Sequence, residues 1–246
     1  LAAVVVLGEV DIGAAFGGVW KSTNGGSNFF PASDFTESMS SGSITMDPVN
    51  TNIVYYGTGE ATYSGASYYG RGIMKSTNAG SSWTNYTSGL PSQTYCSRIV
   101  VRPGFSNQLF AAMGTSGLYK STDAGVTWSI VISGRCDDIV FSPNGTNAYI
   151  AGSGTGYRIS TDGGATFTAN ATLPMGTRNH LAICKNTPSV LYCAVYSGST
   201  ISVYKSTNSG SNFSQVAVGT DFNGGKVWHN IFMRGHSDDS HYTLAG

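Results

Sequence analysis

Charge is scarce in this 246-residue chain: Asp, Glu, Lys and Arg make up 11% of it, and thirteen acids balance thirteen bases. No cluster of Lys and Arg is present to neutralise phosphates, which excludes nucleic acid as the expected partner. Long apolar runs are missing too, and nothing approaches the about 18 residues of a membrane-spanning helix. The one short apolar stretch, LAAVVVLG at the start, fits a signal-peptide core or a first strand; without a charged segment or Met before it, we read it as a strand. Helical periodicity is absent as well, because no window of a dozen residues keeps apolar positions at three-to-four spacing. With 40% hydrophobic residues the chain is nonetheless rich enough to bury a sizeable core and does not read as disordered.

What the sequence has is repetition. KSTNGGSNF (21–29), KSTNAGSSW (75–83), KSTDAGVTW (120–128), ISTDGGATF (159–167) and KSTNSGSNF (205–213) are five copies of one motif. Their serines, Ser22, Ser76, Ser121, Ser160 and Ser206, are 54, 45, 39 and 46 residues apart, the period of stacked four-stranded units. Each copy follows a short apolar run such as RGIM or SGLY, and upstream of that lies a hairpin pattern such as SITMDPVNTNIVYYGTG. That makes four strands per repeat and predicts an all-β fold, a β-propeller of five blades with a half blade supplied by the tail VWHNIFMRGHSDDSHYTLAG. We expect one propeller domain over 1–246: either the N-terminal strands close on that half blade or, the option we favour, the chain is a fragment of a ring of six to eight blades, since a propeller closes to protect its edges.

Each letter of the motif has a physical reading. Ser and Asx side chains bond nearby backbone N–H groups and close a tight turn, and the shared glycine (Gly26, Gly80, Gly125, Gly164, Gly210) allows a positive φ. The closing aromatic, Phe29, Trp83, Trp128, Phe167 or Phe213, is expected to fold back between neighbouring sheets. The third position separates structure from chemistry: it is Asp at Asp123 and Asp162 but Asn at Asn24, Asn78 and Asn208. Asn keeps the acceptor oxygen and loses the charge, which a turn brace tolerates and a general acid or hard-metal ligand does not.

SxDxGxTW at this spacing resembles the Asp-box, or BNR, repeat of sialidases, sortilin-type receptors and xyloglucan-cleaving glycosidases. Segments such as GGVWKSTNGG and YYGTGEATYSGASYYGRGIMKSTNAGSSW are still more similar to secreted bacterial multi-blade proteins. The resemblance covers nearly the whole chain and implies a secreted or cell-surface propeller whose members bind, sort or hydrolyse on one scaffold.

A local function belongs on the face opposite the motif turns, where strand starts place Ser43, Arg98, Asp138, His180 and Asn230 in a ring, with Ser97, Asp137, Asn179 and His229 beside them. The plain reading of this polar ring is the lining of a water-filled channel. The loop EATYSGASYYGRG (60–72) adds Tyr63, Tyr68, Tyr69 and Arg71, a surface suited to sugar or protein contacts, or else a lid packed over blade two. A glycosidase needs two carboxyl groups about 5 to 9.5 Å apart. Glu60 with Asp138 is the alternative catalytic pair, and Asp34, Glu37 and Asp221 sit in interblade loops. The Arg-Ile-Pro signature of sialidases is missing, Arg98-Ile99-Val100 being the nearest. His180, His229, His236 and His241 lack ligand spacing, HSDDSH reads as a solvated turn, and no metal or cofactor is expected.

Four cysteines complete the inventory. Cys96 and Cys136 hold the same place in adjacent repeats, where a bridge between blades is conceivable, and buried free thiols fit as well. The expectation is a non-catalytic module that contacts a glycan or an extracellular protein, with self-assembly possible; the alternative is a glycoside hydrolase acting on β-glucan or xyloglucan.

Overall fold

The computed structural model describes residues 2–6, 9–14, 17–34, 36–61, 67–220, 232–235 and 242–245. Among them every regular element is a strand. Blade 1 is β1 (Ala2–Val6), β2 (Glu9–Ala14), β3 (Gly18–Ser22) and β4 (Phe30–Pro31); blade 2 is β5 (Ser41–Met46), β6 (Val54–Thr58), β7 (Ile73–Ser76) and β8 (Thr84–Tyr86). Blade 3 is β9 (Arg98–Arg102), β10 (Phe105–Ala112), β11 (Leu118–Ser121) and β12 (Ser129–Ile132). Blade 4 is β13 (Asp138–Phe141), β14 (Ala148–Ala151), β15 (Arg158–Ser160) and β16 (Thr168–Ala169), and blade 5 is β17 (Arg178–Ile183), β18 (Leu191–Ser197), β19 (Thr200–Ser206) and β20 (Ser214–Thr220). A hairpin of β21 (Phe232–Gly235) and β22 (Tyr242–Ala245) follows. Each blade is an antiparallel meander whose strands lie in sequence order. These are the blades of a β-propeller, as the repeat predicts. The chain divides into two compact units, Leu1–Ser133 with blades 1 to 3 and Gly134–Gly246 with blades 4, 5 and the hairpin. In the first unit β1, β5 and β9 are neighbouring inner strands, as are β13, β17 and β21 in the second.

Burial falls from the inner strands outward. All of Val54–Thr58 in β6 and all of Ala148–Ala151 in β14 are buried, whereas β4 and β16 are exposed. A blade is too thin to enclose a core, so the cores lie between blades. Tyr55 and Ile73 of blade 2 pack with Leu109, Ala111, Tyr119 and Trp128 of blade 3, and Tyr149 and Tyr157 of blade 4 pack with Leu191 and Cys193 of blade 5. Each fully buried side chain of this size stabilises by roughly 1.5–3 kcal/mol.

The motif turns are built as the sequence suggests. In all five, the Ser Oγ donates to the Asx Oδ1 at 2.7–2.9 Å and accepts the glycine N–H at 2.8–3.0 Å. The Asx Oδ1 also accepts the N–H four residues on, at 2.9–3.0 Å. The residue before the glycine is left-handed too, which the sequence conceals, because it is Ala79 (φ 53°), Ala124 (φ 56°) and Ser209 (φ 55°) in three copies. Two closing aromatics reach the preceding blade: Trp83 Nε1 donates to Ala32 O at 2.8 Å, its ring meeting Tyr56 of its own blade edge-on, and Phe213 meets Tyr157 of blade 4. Phe29 departs from the expectation at 37% exposed.

The conceivable Cys96–Cys136 bridge is not formed; Cys96, Cys136, Cys184 and Cys193 are buried and none is in a disulfide. Cys96 packs over Gly57, where a Cβ would collide with its sulfur, and the Cys136 thiol donates to Asp138 O at 3.7 Å. Burial pushes the Cys96 thiol up to about 12.

Candidate functional site

The loop face is shaped by how tightly its connections pack. In the first unit, Gly59 N donates to Ser40 O, Gly70 N to Thr94 O and Cys96 N to Thr58 O, at 2.8, 2.8 and 3.1 Å. These bonds knit the 59–72 loop to the connections on both sides of blade 2. Thr58 Oγ1 adds a donor to Gly72 O at 2.6 Å and accepts Arg71 N at 2.8 Å. Ser40 Oγ accepts Glu60 N at 3.1 Å, so the root of the loop has its backbone groups satisfied.

Two tyrosines stand out from this rigid base, Tyr68 at 51% and Tyr69 at 54% exposed. Tyr69 stacks on Tyr95, centroids 4.9 Å apart and planes 22° from parallel. Burial, then its hydrogen bond to Tyr69, pushes the Tyr95 phenol up. Arg71 is exposed at the end of the same loop, its carbonyl held by Asn85 Nδ2, which also donates to Glu37 Oε2 at 2.7 Å. The arrangement is an exposed pair of stacked rings, with the side chains of Tyr68 and Arg71 exposed on the same loop. Tyr95 escapes a reading of the sequence because it lies on the next interblade connection, and only the fold brings it under Tyr69. Tyr63 lies outside the described residues, as do Asp221, His229, Asn230, His236 and His241.

The ring at the strand starts is used differently. Asp138, 3% exposed, accepts Ile139 N with Oδ1 (2.8 Å) and Leu181 N of blade 5 with Oδ2 (2.9 Å). Asp137, 2% exposed, accepts Arg135 Nε at 2.7 Å and Asn179 Nδ2 at 2.8 Å. In the first unit Ser43 Oγ accepts Ile99 N at 3.2 Å, the same clamp made with a hydroxyl. His180 Nδ1 is 3.8 Å from Asp138 Oδ2. Arg98 is exposed at the start of β9 and Ser97 Oγ donates to Ala112 O. These acceptors tie β5 to blade 3 and β13 to blade 5. Among the described residues no group of His, Cys, Asp and Glu is arranged to hold a metal ion, and no helix is long and apolar enough to cross a membrane.

A family model described as the DUF6242 beta propeller domain matches residues 19–190. A xyloglucanase of Hypocrea jecorina is 30% identical over 182 residues, covering 70% of this chain and 20% of that protein. A xyloglucanase from a Paenibacillus species is 30% identical over 141 residues, 52% of this chain and 13% of that protein. The chain therefore spans a fifth or less of the length of these relatives. Among solved structures, an ancestral GH74 enzyme superposes with a TM-score of 0.72 at 19% identity, over 96% of this chain and 33% of that one. YCF48 bound to D1 peptide gives a TM-score of 0.61 at 14% identity, over 100% and 74%. Both show likeness of fold.

Proposed function

Because this chain belongs to the DUF6242 β-propeller family, we propose that it contacts a glycan, through the tyrosine plate of blade 2, as part of a secreted or cell-surface propeller. The observation that carries this reading is the Tyr69–Tyr95 stack, an exposed flat ring backed by a second ring on a hydrogen-bonded base. A sugar presents an apolar face of C–H groups, which packs on such a ring while its hydroxyls reach Tyr68, Arg71 and Glu60. The names of the xyloglucanase relatives support a β-glucan or xyloglucan chain as the ligand. In this reading the five turns are Asp-boxes, and they brace the opposite face.

Those names also favour a second reading, glycoside hydrolysis with Glu60 and Asp138 as the acids. Against it, both carboxylate oxygens of Asp138 accept backbone N–H groups in a site 3% exposed to solvent. Calorimetry with xyloglucan and cello-oligosaccharides, run beside an assay for released reducing ends, separates the two. Contact alone predicts that Tyr69→Ala weakens binding about tenfold, a stacked aromatic being worth about 1.5 kcal/mol, with no release above background. Turnover that disappears in Glu60→Gln would establish the hydrolase instead, and absence of binding to any of these glycans would remove the proposal.

A further inference from the structure

The backbone on both sides of Tyr69 and of Tyr95 is held in place. Tyr68 O accepts Glu60 N at 3.0 Å and Ser40 Oγ at 3.3 Å, and Gly70 N donates to Thr94 O at 2.8 Å, so both neighbours of Tyr69 are fixed. Those of Tyr95 are fixed as well, since Thr94 Oγ1 donates to Met113 O at 2.8 Å and Cys96 N to Thr58 O at 3.1 Å. The two connections run so close that a Cβ on Gly59 would come within 2.9 Å of Tyr95 Cα, a collision that only glycine avoids. Two phenols 26 positions apart in the chain are thereby stacked, centroids 4.9 Å apart and planes 22° from parallel, with a hydrogen bond between their side chains. That bond draws the oxygen ends of the rings together, and with them the carbons ortho to each oxygen. Those carbons carry the unpaired spin when a phenol loses one electron.

We infer that Tyr69 and Tyr95 form an oxidative cross-linking site, coupled into dityrosine by a one-electron oxidant of the haem-peroxidase class supplied with hydrogen peroxide. Each phenol gives one electron and one proton to the oxidant and becomes a phenoxyl radical. The two radicals form one C–C bond between ortho carbons, and the hydrogen on each of those carbons passes through solvent to the phenoxyl oxygen, restoring two phenols. Two hydrogens leave the protein, and one peroxide becomes two waters. Exposure selects this pair: Tyr69 is 54% exposed and Tyr95 half-buried, whereas Tyr149 and Tyr157, which share the core between blades 4 and 5, are 0% and 2% exposed. The open side of Tyr69 also leaves its ring room to swing from a stacked to an edge-joined position. The new bond ties the 59–72 loop to the connection that enters blade 3. The cysteines make no such link, because all four are buried and none is in a disulfide.

The inference is independent of the glycan reading and is tested without a glycan. The full chain is treated with a haem peroxidase and hydrogen peroxide, and the product is followed by dityrosine fluorescence and by tryptic mapping. The expected product joins peptides 22–71 and 76–98, two hydrogens lighter than their sum, with fragmentation placing the bond on Tyr69 and Tyr95. Partners held in one molecule meet at an effective concentration of about millimolar or more, roughly a thousandfold above a micromolar protein, so the yield per molecule should survive dilution. For the same reason Tyr95→Phe should lower the yield by about tenfold or more, while Tyr68→Phe leaves it at the parental level. Circular dichroism shows that both variants are folded, and unfolding the parent in urea before treatment should abolish the preference for this pair. A parental yield in Tyr95→Phe overturns the inference, as does a bond that runs chiefly through Tyr68 or Tyr63. So does a product found only between molecules, its yield falling on dilution, or an undiminished Tyr69–Tyr95 product in urea. Absence of dityrosine from the treated native chain overturns it outright.

Discussion

Substituting the third motif position in blade 3 tests the turn reading most directly. Asp123 Oδ1 accepts Ser121 Oγ at 2.7 Å, Val126 N at 3.1 Å and Thr127 N at 2.9 Å, and Oδ2 accepts Thr127 Oγ1 at 2.6 Å. Asp123→Asn keeps every Oδ1 bond, and its Nδ2 can donate to Thr127 Oγ1 just as Asn78 Nδ2 donates to Ser82 Oγ at 2.9 Å in blade 2. Only the charge on an exposed group is lost, so the expected cost at pH 7 is below about 1 kcal/mol. Ser121→Ala is different in kind. It leaves Gly125 N–H, bonded to Ser121 Oγ at 2.9 Å inside the turn, without a partner, at a cost of about 1–3 kcal/mol. The pH dependence has a definite sign. The Thr127 hydroxyl first, then the Thr127 N–H, hold the Asp123 carboxyl down to about 2 from 3.8, so its contribution is complete above pH 4 and is lost as pH falls through about 2. The gap between parent and Asp123→Asn should therefore close on acidification over that window. Urea unfolding followed by circular dichroism from pH 7 to pH 2 measures all three proteins. A loss for Asp123→Asn at pH 7 as large as that for Ser121→Ala would refute the brace, because it would make the charge essential.

Trp128→Ala, at a site 5% exposed, should cost about 3–5 kcal/mol, and Phe29→Ala, 37% exposed, about 1 kcal/mol; equal losses in urea unfolding would contradict the interblade role of the motif aromatic. Asp138→Ala strands the Ile139 and Leu181 N–H groups and should cost about 2–4 kcal/mol, while a stable Asp138→Ala protein would free that carboxylate for another role. The four thiols should resist iodoacetamide in the native protein and react in denaturant, because burial keeps Cys96, Cys136 and Cys193 protonated; rapid alkylation of any of them without denaturant would contradict the buried cores.

The local and repeated features of this protein are legible in its letters. Ser-x-Asx-x-Gly-x-x-aromatic fixes a turn through bonds spanning at most four residues, so five copies announce five turns, and the alternating runs before them announce the strands. The neutral exchange of Asp and Asn identifies the third position as a brace before any coordinate is seen. The remaining features depend on which segments of neighbouring blades meet. Tyr95 slides under Tyr69 because Gly70 N bonds Thr94 O across the interblade connection, a pairing of residues 26 positions apart that no motif encodes. Asp137 and Asp138 look like open carboxylates in sequence, and the fold turns them inward to hold the backbone and Asn179 of blade 5. Equivalent repeat positions suggested a bridge for Cys96 and Cys136, but a disulfide is set by the distance and direction of two Cβ atoms, and each sulfur packs elsewhere. Local hydrogen bonding writes its geometry into neighbouring letters; burial and contact across blades are properties of surfaces, and only packing brings them together.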